Sequence, residues 1–199
     1  MGSGRRAGTE DSKTRSLLLD ATEKLMLEEG YAAVSSRRVA ATAGVNAALV
    51  YYYFGSMDDL FIALFRRGAQ RSLDRQAEAL ASDQPLWALW ESTHSLTNTA
   101  LTMEFIALAN HRKAIQSEIV SYSQKFRSMQ LDVMSVVLKG YGIDADRWPP
   151  VTVMLLMSAI SRFLLMEEAF GIDAGHAETV ALVEHHLQQL EGERRAGHR

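Results

Sequence analysis

Apolar positions recur three and four residues apart along most of the chain, with glycine, proline or serine at the interruptions. From Thr14 the series Leu17, Leu18, Ala21, Leu25, Met26 predicts a helix closed by Gly30. Tyr31 and Val34 lead into the next segment. There Ser35 is a suitable N-cap, Val39, Ala40 and Ala43 share a face, and Gly44 supplies a left-handed turn. Asn46 can cap a second short helix in which Leu49 or Val50, with Phe54, faces inward. After Gly55, Ser56 caps a long helix reaching about Ser82, with Asp58 and Asp59 in its first turn and Leu60, Phe61, Leu64 and Phe65 on its apolar face. Further helices are predicted over Leu86–Leu101, near Met103–His111, over Gln116–Leu138, from Pro149-Pro150 to Phe170, and from Asp173 or Ala174 to Glu191. No run alternates with a period of two. The pattern specifies an all-α chain of about nine helices.

The pattern also divides the chain. Residues 1–13 read as a flexible arm, 14–56 as a three-helix head, 57–192 as a helical body and 193–199 as a basic tail. Within the head, helix, glycine turn and helix have the helix-turn-helix layout, whose second helix is sized for a major groove. The net charge of −3 looks wrong for a reader of DNA until it is divided. Residues 1–57 carry seven Lys/Arg against six acids, a weak positive bias on an acidic body. Arg5 and Arg6 on the arm are either phosphate contacts or a solvated tail.

The chain has no cysteine, which excludes disulfides, thiolate chemistry and Cys-ligated zinc. The first residues lack the apolar segment of a signal peptide, and the apolar run Val151–Met166 is interrupted by Arg162 and short for a bilayer. A cytoplasmic location with no membrane association is expected.

The stretches LLLDATEKLMLEEGY and SSRRVAATAGVNAALVYYYFGSMDDLF resemble the DNA-binding head of the TetR (tetracycline repressor) family over residues 14–65. Gly30, the turn Ala43-Gly44-Val45 and the Tyr-x-x-Phe of Tyr51–Phe54 carry the likeness. One position departs: Met57 stands where the family usually places a lysine that touches phosphate. The resemblance implies a transcriptional regulator, with base contacts at Arg37, Ala47, Ala48 and Leu49. Of these, Arg37 alone has the fork for a bidentate bond to guanine. Phosphate contacts fall to Ser36, Asn46, Tyr51, Tyr52 and Tyr53. Helix geometry prevents three consecutive tyrosines from all facing inward. Tyr52 and Tyr53 are predicted outward, Tyr51 either way.

Two such heads spaced by a helical turn, about 34 Å, would read a palindromic double-stranded operator, so a homodimer is expected. Val151–Phe170 is apolar nearly all round, and Val180, Val183, Leu187 and Leu190 repeat on the last helix. These, with Leu155 and Phe163, form the predicted dimer interface, which the resemblance supports by implying a four-helix bundle. The resemblance also implies a small-molecule effector site among the central helices. Its candidate lining is Trp87, Trp90, His94, Met103, Phe105, Phe126, Met134, Met154, Met157 and Phe163, a set that suits a hydrophobic ligand or an ordinary core. Glu91-x-x-His94 is half of a di-iron signature without a second copy, and His185-His186 point apart on a helix, so neither a metal nor any other cofactor is expected. The expected function is that of a ligand-released repressor. The alternatives are an activator or ligand-independent DNA binder of the same fold, and a helical carrier or enzyme.

Overall fold

A computed structural model describes the backbone of residues 3–93 and 96–195, with side chains over 12–93 and 99–195. Among the described residues there are nine α-helices, one 3-10 turn and no strand, as the periodicity predicts. The helices are α1 (Ser3–Glu29), α2 (Ser36–Ala43), α3 (Ala48–Phe54), α4 (Met57–Leu80), α5 (Pro85–Thr93), α6 (Leu96–Ala109), α7 (Lys113–Gly140), α8 (Pro150–Glu168) and α9 (His176–Glu191).

Two boundaries differ from the sequence reading. Helix α1 begins at Ser3 instead of Thr14, so the stretch read as an arm is helical. No proline stops propagation there, and each further residue adds one hydrogen bond without needing an apolar face. Helix α6 runs unbroken from Leu96 to Ala109, where the sequence suggested one helix ending at Leu101 and another near Met103–His111.

The chain forms two compact units. The first holds residues up to Gln70 together with Ala100–Ser121. Its core gathers Leu18, Leu25 and Met26 of α1, Val39 of α2, Val50 and Phe54 of α3, Leu60, Phe61 and Leu64 of α4, and Leu101, Phe105, Leu108 and Ile115. Phe105 therefore packs in this core and not among the effector-site candidates. Ion pairs bind the rim: Arg67 to Asp20 and Glu23 at 2.6 and 2.7 Å, Arg66 to Glu118 at 2.6 Å, and Arg112 to Asp58. Glu104 on α6 accepts the Tyr31 amide at 2.6 Å, beside Gly30 with φ 81°.

The second unit holds Arg71–Thr99 and the residues from Tyr122 onward. Its core joins Leu86, Trp87, Leu89 and Trp90 of α5 to Met134 and Leu138 of α7, Met154 and Met157 of α8, and Leu187 of α9. Glu191, in the last turn of α9, fastens it. Its two carboxylate oxygens accept the Leu86 and Trp87 amides at 2.8 and 2.9 Å, capping α5, and the Tyr141 hydroxyl at 2.6 Å. Burial, with the nearby Glu191 carboxylate, holds the Tyr141 phenol well above its ordinary pKa. Gln84 adds bonds to the Glu191 and Glu193 carbonyls and accepts the Arg195 amide at 2.8 Å, while Arg194 pairs with Glu91. Positions 193–195, read as a loose tail, are thus tied to α5. Glu191→Ala leaves two helix-start amides and a phenol without an acceptor. It is expected to cost about 2–4 kcal/mol, read from urea unfolding.

Candidate nucleic-acid interface

The head is built from local signals that the sequence displays openly. Ser35 Oγ accepts the Arg38 amide at 3.4 Å and starts α2, whose Val39 and Ala40 are buried. Gly44 ends it at φ 69°, ψ 31°, and the Val45 amide returns to the Ala40 carbonyl at 2.9 Å. A Cβ at Gly44 would meet nothing within 4 Å, so glycine is required there for its positive φ and not for space. Asn46 Oδ1 then accepts the Ala48 amide at 2.8 Å and launches α3.

Val50 and Phe54 anchor α3 in the core, and the Arg15 guanidinium lies 5.0 Å over the Phe54 ring. This fixes the opposite side of α3 toward solvent. Asn46 and Ala48 are exposed, as are Tyr51 at 51% and Tyr52 at 71%; Ala47 and Leu49 are half-buried, Ala47 against the core. Tyr53 corrects the sequence reading. It packs against the core, with its ring edge-on to Tyr52 at 4.9 Å, and Tyr51 takes the outward place. Val50 and Phe54 define the inward direction, and at 100° per residue Tyr51 and Tyr53 both lie about 80° from it, so periodicity cannot separate them.

On α2, Ser36 is half-buried and Arg37 is exposed, with no acidic partner among the described residues. Arg38 is committed elsewhere, pairing with Glu29, whose hydrogen bond and charge raise its pKa. Met57 packs against the core, so the place of the family's lysine is turned inward. The outward surface is therefore a small-residue floor at Ala48, flanked by aromatic hydroxyls and one unengaged guanidinium. Such a surface can approach base edges closely and donate to guanine and phosphate. The side chains of Arg5 and Arg6 lie outside the described residues.

Residues 18–64 match the sequence profile described as bacterial regulatory proteins, tetR family. The match covers the three-helix head, about a quarter of the chain. With this head the chain is a DNA-binding transcription regulator and not an enzyme. It is 27% identical over 186 residues to the HTH-type transcriptional regulator BetI of Rhizobium meliloti, covering 87% of this chain and 89% of that protein. It is 25% identical over 173 residues to the HTH-type transcriptional repressor BepR of Brucella suis, covering 80% and 83%. A regulator from Saccharomonospora viridis, solved in complex with choline, shares the fold with a TM-score of 0.70 at 19% identity, over 89% of this chain and 95% of that one.

The other candidate residues divide. Trp87, Trp90, Met134, Met154 and Met157 come together in the second core, and Met103 and Phe126 are half-buried. His94 lies outside the described residues. Phe163 is 54% exposed on α8 and lines no interior. On the predicted dimer faces Leu155 is 45% exposed and Leu190 is exposed, Val151, Val180 and Val183 are half-buried, and Leu187 is 5% exposed. Leu187 thus belongs to its own subunit's core. Leu156 and Leu182 are exposed as well; on α9 the solvent-facing side is offset from the Val180–Val183–Leu187 series. Helix α8 is also long and apolar enough to cross a membrane by length and composition alone, contrary to the sequence reading.

Proposed function

We propose that the protein is a cytoplasmic homodimeric repressor that grips a palindromic operator with two α3 helices and releases it when a small apolar effector binds the second unit. The observation that carries this reading is the outward side of α3, where Ala48, Tyr51 and Tyr52 are exposed beside the unpaired Arg37. Base contacts come from Arg37, Ala47, Ala48 and Leu49; phosphate contacts come from Ser36, Asn46, Tyr51 and Tyr52. Tyr53 acts behind Tyr52, setting its ring.

The exposed apolar side of α8, with Leu155, Leu156 and Phe163, supports the dimer, because a monomer rarely leaves so much apolar surface to water. A methionine-rich second core supports an apolar effector, since thioethers adapt to irregular shapes. Release follows if the effector prefers a dimer whose heads are misplaced for successive grooves; a preference of about tenfold to a hundredfold is sufficient.

The test is a mobility shift on DNA from upstream of the protein's own gene. Arg37→Ala is expected to weaken specific binding by about 1–3 kcal/mol and to relax the preference at one base pair of each half-site. Unchanged affinity and unchanged preference would remove Arg37 from the base contacts.

A further inference from the structure

Two buried side-chain polar atoms among the described residues have no hydrogen-bond partner: Arg67 Nε and Gln76 Oε1. The first is accounted for, since the other two guanidinium nitrogens of Arg67 are held by Asp20 and Glu23. Gln76 has no such account. It lies on α4 within the second unit, one turn before Leu80, which packs against the Trp90, Met134 and Met154 core. Residues four apart share a helix face, so the amide belongs to the same side of α4 as Leu80. A buried carbonyl without a donor opposes folding, and leucine or methionine at this position would fill similar space without that cost.

We propose that Gln76 Oε1 is the polar anchor of the effector site and accepts a hydrogen bond from a neutral O–H or N–H on an otherwise apolar effector. The inference rests on the effector-responsive reading above and narrows its chemistry. The donor is neutral because an amide oxygen carries no charge to offset a buried cation, and the buried polar residues among those described, Thr22, Gln84, Thr99 and Ser161, carry none either. An effector supplying the donor makes a bond that the free protein lacks. An equally apolar molecule without a donor leaves the carbonyl unsatisfied.

The experiment compares 1-naphthol with 1-methoxynaphthalene, and choline as a cationic control, by calorimetric titration of the full chain and of Gln76→Met. The parent is expected to bind 1-naphthol about tenfold more tightly than the ether, and Gln76→Met to lose that preference. Free Gln76→Met is expected to melt no lower than the parent and to bind operator equally well. Equal binding of both naphthalenes by the parent would leave the apolar site standing and overturn the anchor, as would a preference that survives in Gln76→Met. A lower melting temperature for the free variant would make the amide a structural group and likewise overturn the anchor. Binding of choline alone would overturn the neutral donor, and binding of no probe would overturn the apolar-effector reading itself.

Discussion

Ala48→Glu is expected to lower affinity for the specific operator by at least about a hundredfold while leaving folding stability within about 0.5 kcal/mol of the parent. Ala48 is exposed on the outward side of α3, and nothing in the protein rests on its methyl group. A glutamate fits there without cost to the fold. In the complex, however, its carboxylate would sit between phosphates on a groove floor that offers no cation, and like charges so placed cost several kcal/mol. Circular dichroism melts and fluorescence anisotropy with labelled operator separate the two effects. Retained affinity would place α3 outside the groove.

The second large effect concerns association. Leu155→Glu combined with Phe163→Glu is expected to give a folded monomer of 22.1 kDa by light scattering. Its operator affinity should fall about a thousandfold, toward the level of sequence-independent binding, because one head makes few contacts. Both side chains are about half exposed in the single chain, so charging them leaves the core intact. The pair that the sequence pattern nominates, Val183 and Leu187, would give a different result. Leu187 is buried in the core that also holds Trp87 and Met157, so a glutamate there places an unpaired charge in the core and unfolds the second unit. A dimer that persists after the α8 changes would exclude this side of α8 from the interface.

These contrasts show what the sequence can disclose. The head was legible because its determinants are short-range: Ser35 and Asn46 each bond a backbone amide two or three residues away, and Gly44 answers a local backbone need. Spacing alone also placed Val39 and Phe54 inward, and left Val50 as one of two choices with Leu49. It could not order Tyr51 and Tyr53, which lie symmetrically about the buried direction until neighbouring helices choose between them. Nor could it show that Leu187 is buried within its own chain while Leu182 is exposed, since the pattern shows which residues are apolar but not what each meets. The Glu191 contacts to α5 and Tyr141 were out of reach altogether, because nothing near position 191 announces an amide a hundred residues earlier. The inward turn of Met57 explains how the head accommodates the loss of a phosphate-binding lysine: the side chain joins the core.

The Glu191 clasp also bears on the order in which the molecule is made. Everything in the DNA-reading unit has left the ribosome once Ser121 emerges, so that unit can close while synthesis continues. Helix α5 emerges earlier than α7 yet must wait for the carboxylate of α9 before its first turn is satisfied. The newborn chain can therefore complete its helix-turn-helix unit before the second unit has its last fastening.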